Sequence, residues 1–466
     1  MRFLARGRPG GLCYIAAFAA ALPLLAQLTP QQQLARDIFK QLIEIDTTDS
    51  VGDNTRAAEA MAARFRDAGY PESDIRLLTP APRKGNLVVR LHGSGAARPV
   101  LFIGHLDVVE AKRSDWSFDP FVFLEKDGSF YGRGTEDMKG DDATLVTAFL
   151  RMKREGFRPR RDLILALTSD EEGGKSNGIE WLVNNHRDLM DAEYCINADA
   201  GGGDLKNGQR MYVGVQAAEK VFLTFTLEST NAGGHSSLPR KDNAIYHLAG
   251  GLTRLAAFDF PVHLFDVTRA YFERMSAVFS GQLAADMKTV AANPSDAAAV
   301  SRLSETPLYN ALLRTTCVAT MLSGGHAENA LPQSATALVN CRLLPVDKPE
   351  EIQQTLVRVL ADPAIRVSVT TPARPSQFAP MNPQVLSTVT AATEKYWPGL
   401  RVIPQMSTGA TDAVFLRGAG IPTYGVSGIF TDEDDVRAHG RDERIPVKSF
   451  YEAVDFMFSV VTALGK

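Results

Sequence analysis

Three apolar runs in this chain each end in an acid or an imidazole, and few architectures can use that arrangement. Residues 100–103 lead through Gly104 to His105-Leu106-Asp107, residues 163–168 lead to Asp170-Glu171-Glu172, and residues 194–196 lead to Asp199. Continuous apolar runs bounded by turns, a further one at residues 87–91, separated by helical patterns such as residues 143–152, read as buried strands of a mainly parallel sheet in an α/β domain. An open sheet of that kind keeps its ligand crevice at the carboxyl ends of its strands. Helical spacing over residues 31–46 (Leu34, Ile38, Leu42, Ile45) and residues 57–68, closed by Gly69, supplies covering helices. Phe450, Val454, Phe458 and Val461 form the apolar face of a closing one.

The middle of the chain changes style. A strand at 221–227, a helix at 243–258, strands at 315–322 and 335–343, a helix at 350–360 and a strand at 365–369 give the order βαββαβ, the split ferredoxin-like plan. A long insertion separates its first helix from its second strand, and Tyr271, Met275, Phe279 and Leu283 predict an added helical segment there. After residue 372 the α/β style resumes, with a strand at 421–426. With 466 residues there is chain enough for two or three domains. The expected organisation is a catalytic domain in two parts, 27–216 and 373–466, with a smaller α+β domain, 217–372, inserted as a lid.

The formal charge is −4, and the first 26 residues hold Arg2, Arg6 and Arg8 without an acid, so the rest is more acidic still. That excludes a general nucleic-acid binder, which needs a basic footprint to release counterions. Those arginines precede an apolar run, residues 12–25, too short for a bilayer span and followed by the small Ala26. This is the pattern of a secretory signal and predicts a periplasmic or secreted protein. Leu24, bulky for a cleavage site, keeps an uncleaved anchor as the alternative. No later segment is long and apolar enough to span a membrane. With Cys13 inside that segment, Cys195, Cys317 and Cys341 are an odd set without paired spacing, so no disulfide framework is expected.

A further acid, Asp137, lies in Gly-Arg-Gly-Thr-Glu-Asp-Met-Lys-Gly at residues 132–140, just before a helix. Acids crowded this closely repel one another unless a cation neutralises them. One or two metal ions are the economical explanation. Imidazole nitrogen and carboxylate oxygen without thiolate fit Zn²⁺ in a catalytic site, with Mn²⁺ or Co²⁺ as alternatives. Asp107, two positions after His105 on a strand, points to the same face and can orient the imidazole. By itself His-x-Asp reads as a solvated strand end, and the acid run 432–435 as a solvated loop face, with its nearness to His439 leaving a minor role in positioning that loop open.

Taken together, His105-Leu106-Asp107, the Asp137 segment, Glu171-Glu172-Gly173, Asp199, Gly233-Gly234-His235-Ser236-Ser237, Asn329-Ala330-Leu331-Pro332 and His439 resemble, in order, the motifs of the co-catalytic zinc peptidases related to carboxypeptidase G, carboxypeptidase S, aminoacylase and succinyl-diaminopimelate desuccinylase. The resemblance spans essentially the whole mature chain. It implies two zinc ions per subunit bridged by Asp137, one completed by His105 and Asp199 and the other by Glu172 and His439, with Glu171 as general base and Asp107 in support. It also implies a cis peptide at Asp137-Met138. Relatives of the aminoacylase type often carry Asp-Glu-Gly at the fourth ligand. Here the run is Asn197-Ala198-Asp199-Ala200-Gly201, so only Asp199 can supply oxygen.

The same resemblance assigns His235 to the active site of a partner subunit, where it stabilises the oxyanion, and so implies a homodimer formed through the inserted domain's sheet edge or helices. Asn329 and Arg342 match the substrate-binding pair, Arg342 being suited to grip a carboxylate with two hydrogen bonds. Gly409, in Ser-Thr-Gly-Ala-Thr-Asp at residues 407–412, resembles the glycine-rich substrate loop. The expected activity is hydrolysis of an amide next to a free carboxylate, by an exopeptidase of carboxypeptidase or dipeptidase type acting on small peptides. An N-acyl amino-acid amidohydrolase is the rival enzyme. A catalytically inactive binding protein is the rival of another class, against which all five ligand positions and Glu171 are present.

Overall fold

The computed structural model describes residues 28–374 and 378–466. The expected signal at residues 1–26 lies outside them. Two sheets organise the chain. In the larger, the parallel strands Leu163–Thr168, Val100–His105, Tyr194–Asn197 and Thr423–Gly425 lie side by side at the centre. Every residue of the first three is buried. Side chains of successive strand residues point to opposite faces. Val100, Phe102, Leu163, Leu165 and Leu167 therefore enter one core with the helices Pro30–Ile43, Lys139–Arg154 and Val447–Leu464. Leu101, Ile103, Ile164 and Ala166 enter another with Ile179, Leu182 and Leu416.

The local sequence explains where these elements begin. Pro30 occupies the first turn of its helix, where its missing N–H costs nothing, and Thr29 and Gln32 close a reciprocal capping box. Antiparallel and mixed pairings extend the sheet on both sides, through Asn86–Leu91 at one end and Gln209–Glu219 and Gly202–Lys206 at the other. Val402–Ser407 joins Gln209–Glu219 in parallel. Gln209–Glu219 and Gly202–Lys206 carry glycine, and Val402–Ser407 is broken by Pro404 and Gln405, so the apolar-run criterion does not single them out.

The second sheet has the order Thr316–Gly324, Ser334–Leu343, Val221–Thr230, Ile365–Thr371, with all neighbours antiparallel. That is the strand order of a βαββαβ unit. Alternate residues Ala335, Ala337, Val339, Cys341 and Leu343 pack with Leu248, Leu255, Leu356 and Leu360 of the helices Ala244–Ala256 and Pro349–Leu360. The long insertion folds as four helices rather than one, Asp266–Met275, Gly281–Ala292, Ala297–Ser304 and Pro307–Leu313. Tyr271, Phe272, Met275, Met287 and Val290 join the core of the larger sheet, so these residues, although expected with the lid, belong by packing to the catalytic unit.

One expectation fails. Cys317 and Cys341 form a disulfide. Their spacing in sequence carries no signal, because strand register sets them directly opposite each other in the antiparallel pair. Cys195 is free and buried.

Candidate metal centre

Three strand ends and two loops bring five side chains together. Ligand atoms of His105, Asp137 and Asp199 lie within 4.8 Å of one another, as do those of Asp137, Glu172 and His439. Asp137 belongs to both groups and divides its oxygens between them. Its Oδ1 is 3.1 Å from His105 Nε2, and its Oδ2 is 3.2 Å from His439 Nε2. Asp199 Oδ1 lies 3.6 Å from His105 Nε2, and Glu172 Oε2 lies 2.8 Å from His439 Nε2. The first group is enclosed, whereas His439 has a side chain 54% exposed, so the second opens outward.

The donor set fits a cation, and His105 shows why. Its Nδ1 is 3.0 Å from the backbone carbonyl of Asp107. A carbonyl only accepts, so Nδ1 carries the proton and the Nε2 lone pair points at the oxygens of Asp137 and Asp199. A lone pair and two carboxylates cannot satisfy one another; a bound cation, or a second proton on the ring, resolves the conflict. With protein charges alone, burial lowers the His105 pKa, but bonding to Asp137 and Asp199 outweighs it and holds the group well above its ordinary value. Burial, reinforced by Asp137, raises Glu172 to about 7. Asp137 is pulled below the usual range, its burial outweighed by the two imidazoles.

Asp107 acts differently from the sequence expectation. Its carboxylate stands 3.7 Å from His105 Nδ1 and instead accepts backbone N–H bonds from Glu171, at 3.2 Å, and Glu172, at 3.0 Å. Its carbonyl fixes the imidazole while its carboxylate fixes the turn that carries the base. That turn is further held by Asp170, in the left-handed region at φ 62°, whose carboxylate takes Lys84 Nζ at 2.5 Å and the Ser176 N–H at 3.1 Å. Among the described residues, Glu171 makes no ion pair. Burial, with Asp199, Asp412 and Glu172 nearby and His105 opposing, pushes its pKa up to about 10.

Beneath Asp137, the aspartate shared by both groups, lies a residue that motif reading missed. Glu443 is fully buried. Its Oε1 accepts the N–H groups of Glu136, at 2.7 Å, and Asp137, at 3.0 Å. Its Oε2 takes the Gly134 N–H at 3.1 Å and the Arg133 guanidinium at 2.6 Å. The peptide between Asp137 and Met138 is cis. The only sequence signal for Glu443 is its place four residues after His439. Asp412 was also passed over: it is buried, accepts Asn177 Nδ2 at 2.6 Å, and burial raises its pKa to about 7. In the acid run, Asp435 ties Arg437 and Arg444 together, at 2.6 and 2.5 Å, which braces the loop in keeping with the positioning role that its nearness to His439 leaves open.

The remaining expected residues stand apart from the five. His235 and Ala330 pair in a two-stranded ribbon, and the Ser236 N–H donates to the Asn329 carbonyl at 3.0 Å, so the two distant motifs meet each other. His235 is exposed and its Nδ1 accepts from Ser237 Oγ at 2.7 Å. Arg342 lies on the second sheet with its guanidinium 4.8 Å from the ring centre of Phe222. The Gly409 N–H donates to Ser407 Oγ at 3.0 Å, and the next residues, Ala410 to Asp412, line a cleft shared with Glu171, Glu172 and Phe222.

Comparison with known proteins gives the following. The profile of Peptidase family M20/M25/M40 matches residues 101–463. The human N-fatty-acyl-amino acid synthase/hydrolase PM20D1 is 27% identical over 376 residues, covering 78% of this chain and 74% of that protein. Among solved structures, the M20 family metallo-carboxypeptidase of Sulfolobus solfataricus superposes with a TM-score of 0.68 at 16% identity, over 92% of this chain and 99% of that one. A dinuclear metal binding peptidase of Bacillus subtilis gives 0.60 at 10% identity, over 93% and 98%.

Proposed function

The chain belongs to peptidase family M20/M25/M40 and is a metal-dependent hydrolase, and from that premise we propose that it cleaves an amide bond next to a free carboxylate, as in a dipeptide or a peptide C-terminus. The observation that carries the reading is one carboxylate, Asp137, shared between two groups of candidate ligands, with Glu171 beside them. Two imidazoles and three carboxylates without a thiolate favour zinc, with cobalt or manganese as alternatives. Bound there, a metal pair supplies Lewis-acid polarisation of the scissile carbonyl and lowers the pKa of water.

The chain's own residues do the rest. Burial, with the charge of the surrounding acids Asp199, Asp412 and Glu172, keeps Glu171 protonated while no cation is bound; with cations bound beside it, it would ionise, accept a proton from the attacking water and return it to the leaving amine. Asp107 holds the Glu171 amide and so the direction of its carboxylate. Arg342, stacked on Phe222, meets the substrate carboxylate. His235 stabilises the oxyanion of a neighbouring subunit. Its exposure supports that role, as does the apolar edge strand of the same unit, where Val318, Met321 and Leu322 are 61%, 65% and 71% exposed and suit a homodimer contact. The Cys317–Cys341 disulfide supports an oxidising, periplasmic or extracellular location.

N-acyl amino-acid hydrolysis is the second reading, favoured by the named activity of the human relative. A panel of dipeptides, amidated peptides and N-acyl amino acids, assayed with zinc-loaded protein, separates the two. The account expects turnover of free-carboxylate substrates and a loss of about 10²–10⁴ in kcat for Glu171→Gln. Equal turnover of amidated peptides, or an unaffected Glu171→Gln, overturns it.

A further inference from the structure

A cleft of about 460 Å³ begins at Glu171 and Glu172 and runs between the two sheets. One wall carries Val221, Phe222 and Pro372, and the other Val414 and Phe415. Phe222 is 39% exposed, on the sheet face opposite to its buried strand neighbours Val221 and Leu223, so its ring is open to the cleft. Each ring is backed by a guanidinium: Arg342 lies 4.8 Å from the centre of Phe222, and Arg374 lies 4.7 Å from that of Phe415. Such a volume is ordinary for a small-molecule site.

The polar groups along this cleft are mostly engaged. Asp170 is held by Lys84, Asp412 by Asn177, and Glu180 by Arg374 at 3.2 Å. Lys220 turns its ammonium away to the Arg314 carbonyl and to Thr316 Oγ1. Lys175 and the partly exposed Arg374 give the rim of the cleft charge, and between them the walls offer an incoming group the apolar and aromatic surface of Val221, Phe222, Val414 and Phe415.

We infer that this cleft is the subsite for the side chain of the residue bearing the free carboxylate, that it selects large apolar side chains, and that Phe222 and Phe415 set the selectivity. The inference rests on the amide-next-to-carboxylate reading above. Arg342, which meets the carboxylate, lies on Phe222, so the side chain on the adjoining carbon is the part of the substrate that reaches that ring. The scissile amide then lies at the Glu171 end of the same cleft. Burial of an apolar side chain between two rings favours it over hydrogen by the area removed from water.

The test compares two matched pairs with zinc-loaded protein: alanyl-phenylalanine against alanyl-glycine, and an N-acyl-phenylalanine against the same N-acyl-glycine. Since a single methylene in an apolar pocket discriminates by 10-fold or more, the phenylalanine member is expected to lead in kcat/KM by at least about 10-fold. Phe415→Ala should cut that ratio at least about 5-fold. Val414→Ser, which wets the same wall without removing a ring, should lower it too and serves if Phe415→Ala does not fold. A wild-type ratio near one, or a ratio unmoved by these variants, overturns the inference while leaving the hydrolase reading in place. Cleavage of neither pair overturns the reading itself.

Discussion

Replacing Glu443 with glutamine tests whether Asp137, the aspartate shared by the two candidate ligand groups, is held from below. The carboxylate receives four donors, two on each oxygen: Glu136 and Asp137 N–H on Oε1, and Gly134 N–H with Arg133 on Oε2. A glutamine presents one oxygen and one NH₂, so two of the four donors must face another donor. Leaving a buried donor unsatisfied costs about 1–3 kcal/mol each. If the amide turns its NH₂ to Arg133, the guanidinium, only 3% exposed in its side chain, loses its counter-charge, and breaking a buried pair costs about 3–5 kcal/mol. The expected destabilisation is therefore about 3–5 kcal/mol, read as a lower midpoint in thermal and urea unfolding. Metal affinity should fall as well, because the Asp137 amide is among the groups released. Titrating chelator-stripped wild type and Glu443→Gln with zinc by calorimetry measures that second effect. An unfolding midpoint and a zinc affinity both equal to wild type would refute the reasoning, since the carboxylate would then be doing nothing that a neutral amide cannot.

Other outcomes follow from the same structure. Zinc binding should release protons and strengthen as pH rises toward 9, because His439, raised to about 9 chiefly by Asp137, and Glu172, raised to about 7 by burial, must give up protons to bind; calorimetry in buffers of different ionisation heat reads this. Metal-free protein should lose stability as pH rises. The raised acid Glu172 is favoured only while protonated, and the raised imidazole of His439 stabilises below its folded value and ceases to as pH passes about 9. Melting scans from pH 5 to 9, with zinc flattening the trend, check it. Removing the disulfide as Cys317→Ala/Cys341→Ala, a link across 24 positions, should cost about 3.5 kcal/mol on the loop-entropy estimate. The wild type but not the double variant should then melt earlier in reductant.

The parts of this molecule legible from sequence are those where one short segment carries the whole signal. Runs such as Leu163–Thr168 are buried on both faces, so they are apolar throughout, and the acids that follow them mark the strand ends. His105, Asp137, Glu172, Asp199 and His439 are legible because each sits in a recognisable segment, and the fold brings them into two adjoining groups. What escaped depends on through-space register. The Cys317–Cys341 link arises from strand pairing, and Glu443 acts through amides some 300 positions earlier. The helices within 266–313 look like a lid insertion because they interrupt the lid in the chain. Their apolar faces nevertheless find the larger sheet's core. The role of Asp107 was half visible: its spacing from His105 gave the right neighbourhood, but only geometry separates its carbonyl, on the imidazole, from its carboxylate, on the Glu171 turn.

Crystals soaked in zinc and measured on either side of the zinc absorption edge locate the metal directly. The account predicts two anomalous peaks flanking Asp137, one touching His105 and Asp199, the other Glu172 and His439. Peaks elsewhere, or a single ion that leaves Asp137 unbridged, would contradict it.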